Sequence, residues 1–130
     1  MSGSEATIVL VDDEPAILMT VGDRLQSHGY SVTRVASAEE CLRVLKTMNP
    51  DLLIVDLGMP GKGGLELINE ICGPDRRLAY PVLVLTAHAG MKEFFRDTPV
   101  DGFVLKTDGP DVLIREVKRI IALRRTAPAP

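Results

Sequence analysis

The sequence lacks a basic stripe. Its 15 lysines and arginines are interspersed among 18 aspartates and glutamates, for a net charge of −3. Nucleic acid is therefore not an expected direct partner. Long apolar runs are missing too: they extend four or five residues, far short of a membrane span, and no positively charged leader precedes a secretory core. No membrane contact and a cytoplasmic location are expected. Cysteine is scarce. Cys41 and Cys72 stand alone in predicted helical segments, with no second ligand spacing around either, which fits plain thiols in a reducing compartment. What is present is ordinary for a soluble globular protein, with 45% hydrophobic and 25% charged residues. A chain of 130 residues is one domain by length.

The stretch Asp51-Leu-Leu-Ile-Val-Asp56-Leu-Gly-Met-Pro60 organises the rest. Four apolar residues, two of them β-branched, predict a buried strand that stops at a carboxylate, where Gly58 and Pro60 turn the chain. Thr7-Ile-Val-Leu-Val11 is a second such strand and ends in Asp12-Asp13. Ligands of open α/β sheets bind at the carboxyl ends of the strands. Three acids converging there repel one another, and a divalent cation relieves the repulsion; all-oxygen donors favour a hard ion such as Mg²⁺, with Mn²⁺ an acceptable substitute, over zinc.

Along the chain, Pro15 opens a helix whose apolar face is Ile17, Leu18, Val21 and Leu25, and Gly29 ends it. Tyr30 to Val35 predicts a more exposed strand at a sheet edge. Ser37 and Glu40 have capping-box spacing, ahead of a helix carrying Cys41, Leu42, Leu45 and Met48 and closed by Pro50. Gly61-Lys-Gly-Gly64 predicts a flexible loop before a helix bearing Leu65, Leu67, Ile68 and Ile71. A strand over Tyr80–Leu85 ends in Thr86, a weak helical segment covers Ala87–Arg96, and a short strand over Gly102–Leu105 runs into Lys106. Asp108-Gly-Pro-Asp111 starts a last helix with Leu113, Val117, Ile120 and Ile121 on its apolar side. Five repeats of strand then helix predict an α/β, doubly wound (βα)5 sandwich with a parallel sheet covered on both faces.

These residues resemble the receiver domains of two-component response regulators. The resemblance runs from about Thr7 to Leu123. It is carried by Val11-Asp12-Asp13-Glu14 after the first strand and Asp56-Leu-Gly-Met-Pro60 after the third. Leu85-Thr86-Ala87 follows the fourth, and Phe103-Val-Leu-Lys106 lies at the fifth. It implies a flavodoxin-like five-stranded sheet in the order 2-1-3-4-5, with residues 1–123 as the receiver domain and 124–130 as a tail or the start of a linker. It further implies that Asp56 is the phosphoacceptor and that Asp13, Asp56 and the Gly58 backbone carbonyl bind Mg²⁺ directly. Asp12 would hold the ion largely through water. Thr86 and Lys106 would contact the phosphoryl group, and Thr86 and Phe103 would form a packing switch. Two features depart from the family pattern: Thr107 follows the lysine where proline is usual, and the stretch from Thr86 to Lys106 is short.

The chemistry follows from the residue types. A carboxylate of ordinary pKa is ionised at neutral pH without a general base. Its attack on phosphorus is opposed by the equatorial oxygens, whose charge a metal ion and the Lys106 ammonium can balance while the Thr86 hydroxyl donates to another oxygen. The expected donor is a phosphohistidine on a sensor histidine kinase or a histidine phosphotransfer protein. The chain then catalyses its own phosphorylation and dephosphorylation without turning over an external substrate. His88, two past Thr86, is a candidate modulator of dephosphorylation. Its other reading is an ordinary loop residue. His28 reads as a charge partner for a helix end, and Gly61–Gly64 lacks the Gly-Lys-Ser/Thr ending of a nucleotide loop. No output domain remains in the chain. The expected downstream partner is therefore either a separate protein or a missing C-terminal output domain, with the receiver a monomer or weak dimer. The alternatives are an unphosphorylated receiver-like interaction module and, more remotely, a small phosphatase using Asp56.

Overall fold

The computed structural model describes residues 6–57, 63–73, 78, 80–87 and 100–126. Five strands, β1 (Thr7–Val11), β2 (Ser31–Val35), β3 (Leu52–Asp56), β4 (Val82–Thr86) and β5 (Gly102–Leu105), form one parallel sheet in the order β2-β1-β3-β4-β5. Helices α1 (Pro15–Ser27), α2 (Ala38–Leu45), α3 (Gly64–Ile71) and α4 (Pro110–Thr126) flank it. The order is the expected one, and β2 lies at an edge as its mixed polarity implied. The last helix runs to Thr126, so the tail expected from Arg124 begins inside helical backbone. The second helix stops at Leu45, short of Pro50, and Met48 packs from the connection beyond it. Beyond Ala87, the helical segment expected over Ala87–Arg96 lies outside the described residues. Among the described residues no helix is long and apolar enough to cross a membrane.

Alternation along the strands divides the core into two layers. Ile8, Leu10, Leu52, Ile54, Leu83, Leu85 and Val104 face one side with Leu25 of α1 and Leu113, Val117 and Ile120 of α4. Val9, Val11, Leu53, Val55, Val82 and Val84 face the other, with Cys41 of α2 and Leu67 and Ile68 of α3. Burial pushes the Cys41 thiol up to about 12, so it stays protonated and packs as a small apolar group.

Acids also stand at the amino edge of the sheet. Asp51 Oδ2 accepts the Thr7 N–H at 2.8 Å, and Asp101 Oδ2 accepts the Val82 N–H at 2.8 Å. Each acid precedes its own strand and satisfies the first N–H of the neighbouring one, a purely structural role.

The helix termini use several devices. Ser37 Oγ accepts the Glu40 N–H, but Glu40 Oε1 returns to the N–H of Ala36, one residue before the cap, so the expected box is offset. Gly29 leaves α1 at φ +92° and Gly109 enters α4 at φ +94°, a conformation glycine adopts without strain. Gly64, expected in a loop, is instead the buried first residue of α3. A Cβ there would overlap the carbonyl oxygen of Asp56 and sit 2.9 Å from Val55 Cγ1. Because backbone must yield, Gly64→Ala is expected to lower unfolding free energy by about 2–3 kcal/mol, measurable by urea titration.

Candidate functional site

The parallel register builds the site. Val11 pairs with Val55, which brings Asp12, just past β1, beside Asp56 at the end of β3. Thr86 pairs with Leu105, so Lys106 emerges one step beyond the end of β4. Apolar strands make these chain ends rigid, and each polar residue sits where its strand stops. Asp12, Asp56 and Thr86 are the polar or charged residues buried among the described ones, at 0%, 4% and 2% exposure. Carboxylate oxygens of Asp12, Asp13 and Asp56 all lie within 4.8 Å of one another.

Among the described residues, the cation that faces this cluster is Lys106. The Lys106 ammonium is 3.3 Å from Asp12 Oδ2, 3.3 Å from Asp56 Oδ1 and 2.7 Å from Glu14 Oε1. Partial burial alone would lower the Lys106 pKa; the Glu14 hydrogen bond and the Asp12 and Asp56 charges outweigh it, and the net direction is upward. The lysine is thus charged throughout the neutral range. Thr107 lies exposed within a 3-10 turn over Lys106–Asp108, and the lysine reaches the acids with threonine in that place. Asp108 Oδ2 fastens the turn by accepting the Leu105 N–H at 3.0 Å.

Asp12 bears the cost of crowding. Its Oδ1 accepts the Glu14 N–H at 2.9 Å, while Oδ2 is buried with no hydrogen-bond partner. Lys106 approaches Oδ2 in ion-pair range but outside hydrogen-bond geometry. Burial raises the Asp12 pKa from 3.8 to about 6; the Glu14 N–H opposes this, Asp56 adds repulsion and Lys106 lowers it again. A buried carboxylate oxygen lacking a donor, beside two more carboxylates, fits a hard divalent cation bound through oxygen. This metal-chelating acidic cluster is the one the sequence pointed to.

The remaining expected residues divide. Phe103 is half-buried on β5 opposite Val84, packed on the same sheet face as Val82 and Val84. Strand alternation puts Thr86 on that face too, diagonal to Phe103 across β4 and β5. Gly58 and His88 lie outside the described residues. His28 is the exposed residue capping the C-terminal end of α1. Glu14 received no role from the sequence, although it makes the shortest contact to Lys106. The two residues are 92 positions apart, and only the folded sheet joins them.

Oxygen donors and the Lys106 ammonium at the carboxyl edge of a doubly wound parallel sheet define an α/β domain whose ligand chemistry sits at that edge. The response regulator receiver domain model matches residues 8–118, and the chain belongs to that family. It is similar to the transcriptional regulatory protein GlrR of Escherichia coli, at 38% identity over 131 residues covering 99% of this chain. The chain spans only 29% of GlrR's own length. Among solved structures it is similar to the response regulator TrrA of Thermotoga maritima in complex with Mg²⁺–BeF, at 32% identity and TM-score 0.78, covering 88% of this chain and 98% of that one. It is also similar to a CheY-like receiver domain protein of Methanospirillum hungatei, at 25% identity and TM-score 0.83, covering 94% and 98%.

Proposed function

We propose that this receiver domain accepts a phosphoryl group on Asp56 from a phosphohistidine and thereby switches a protein-interaction surface. The observation that carries this reading is the convergence of the Asp12, Asp13 and Asp56 oxygens with the Lys106 ammonium at one sheet edge. A carboxylate oxygen of Asp56 forms the new bond to phosphorus as the P–N bond breaks, and the imidazole nitrogen leaves with the electron pair. Lys106 and Thr86 donate to phosphoryl oxygens, so catalysis is positioning and charge balance with little proton transfer. Asp12, Asp13 and Asp56 would hold Mg²⁺, with the Gly58 carbonyl as the further ligand that the family resemblance implies, and the ion would supply the remaining charge neutralisation.

The acyl phosphate brings about two negative charges and several acceptor oxygens. Thr86 turns toward them, and Phe103, sharing its sheet face, takes up the space it leaves, a two-state packing change. Residues 1–123 form the receiver unit on this reading. A histidine kinase or phosphotransfer protein is the donor, and the output lies in a separate protein or in further chain. The TrrA complex with Mg²⁺–BeF supports the choice of ion and of phosphoryl chemistry.

The test is intact-protein mass after incubation with acetyl phosphate. One added phosphoryl group is expected with Mg²⁺ and none with a chelator. No adduct, together with no beryllofluoride-induced shift in Phe103 burial, would return the chain to an unphosphorylated interaction module.

A further inference from the structure

We propose that Glu14 is a positioning residue that parks the Lys106 ammonium in the unphosphorylated state and yields it to the incoming phosphoryl group. The inference rests on the phosphoacceptor reading and goes beyond it by naming the group that competes for the lysine.

An ammonium has three N–H donors, and three carboxylates surround this one. Glu14 Oε1 is nearest at 2.7 Å, with Asp12 Oδ2 and Asp56 Oδ1 each at 3.3 Å. A phosphoryl oxygen that is to receive a short hydrogen bond from Lys106 must draw the ammonium away from its nearest acceptor, the Glu14 carboxylate to which it donates at 2.7 Å. The Asp12 and Asp56 side chains are 0% and 5% exposed, so water cannot replace the lysine there. The Glu14 side chain is 58% exposed, and water solvates it as soon as the lysine leaves. Glu14 is therefore the acceptor given up at least cost.

The backbone leaves this side chain available. Glu14 is the N-cap of α1, and its carbonyl accepts from Ile17 and Leu18 at 3.0 and 3.1 Å. The side chain makes no cap hydrogen bond. Its contact with Lys106 thus adds nothing to the helix start, and the helix keeps its first turn without it. Two consequences act in one direction: the contact has to be broken during transfer, and the Glu14 charge repels an anionic donor. Glu14 slows acceptance and keeps the lysine in place when no phosphoryl group is present.

The experiment compares wild type, Glu14→Gln and Glu14→Ala for the rate of adduct formation with acetyl phosphate and Mg²⁺, followed by intact mass at low and high salt. Both variants are expected to be phosphorylated about 2- to 5-fold faster at low salt, the span of an exposed ion pair. The advantage should shrink toward unity at roughly 0.5 M salt as the charges are screened, and thermal midpoints should fall by no more than a few degrees. A merely structural role would lower the midpoint without accelerating phosphorylation or making its rate depend on salt. Rates at or below wild type, or an acceleration that salt does not touch, would overturn the proposal. Absence of an adduct on the wild type would instead overturn the phosphoacceptor reading beneath it.

Discussion

Asp56→Asn is expected to reduce the phosphoryl adduct from one per chain to none detectable by intact mass, while leaving the fold in place. The substitution preserves shape at the end of β3, where Asp56 is 4% exposed and would tolerate no larger group. It removes the anionic oxygen that attacks phosphorus, and an amide is a far poorer nucleophile than a carboxylate. One like charge also leaves the neighbourhood of Asp12, whose protonation Asp56 favours by repulsion. Relief of that repulsion offsets the lost Lys106 contact. The metal-free variant should therefore fold with a thermal midpoint close to that of wild type, which a melt checks before a missing adduct is read as lost chemistry. An adduct persisting at wild-type rate in the variant would place the acceptor at another residue.

Asp12→Asn should act in opposite directions on stability and on metal response. An acid whose pKa is raised on folding binds its proton more tightly folded than unfolded. Stability of the metal-free protein thus falls as pH rises from 3.8 to about 6, and above that the full cost is present. That interval corresponds to roughly 3 kcal/mol. Asparagine keeps an oxygen to accept the Glu14 N–H and carries no charge, but it buries an amide N–H near Lys106, which offsets about 1–2 kcal/mol. A net gain of roughly 1 kcal/mol, or a few degrees in thermal midpoint, is expected without metal at pH 7. The fall in stability between pH 4 and 6 should flatten. Conversely, Mg²⁺ should raise the midpoint of the wild type and barely move that of the variant. Equal Mg²⁺ responses by calorimetry would remove Asp12 from the metal site.

The order of the strands came from the resemblance to receiver domains; the strands themselves were legible because apolar runs of four or five residues ended in polar ones, and period-2 burial follows directly from such runs. Asp12, Asp13, Asp56 and Lys106 were legible for the same reason, each lying at a strand end. Gly64 was not. Its role depends on how closely α3 approaches the carbonyl of Asp56, a tertiary distance with no local signature, and in sequence it looked like one more loop glycine. Glu14 was hidden differently. It reads as the third acid of a run that turns into a helix, and its partner is brought to it only by parallel pairing of β1, β3, β4 and β5. The end of α2 at Leu45 was missed because Met48 keeps helical spacing while packing from outside the helix.

The acids at the two edges of the sheet have separate consequences for engineering. Asp51 and Asp101 bind backbone N–H groups at one edge, while Asp12, Asp13 and Asp56 cluster at the other, two of them beside Lys106. A five-residue strand separates them by about 16 Å, beyond the range at which substitutions couple appreciably. Changes at the amino edge should tune the melting temperature and leave ion and phosphoryl binding untouched, while changes at the carboxyl edge retune the chemistry. The two sets can then be varied independently, and their effects combined by addition.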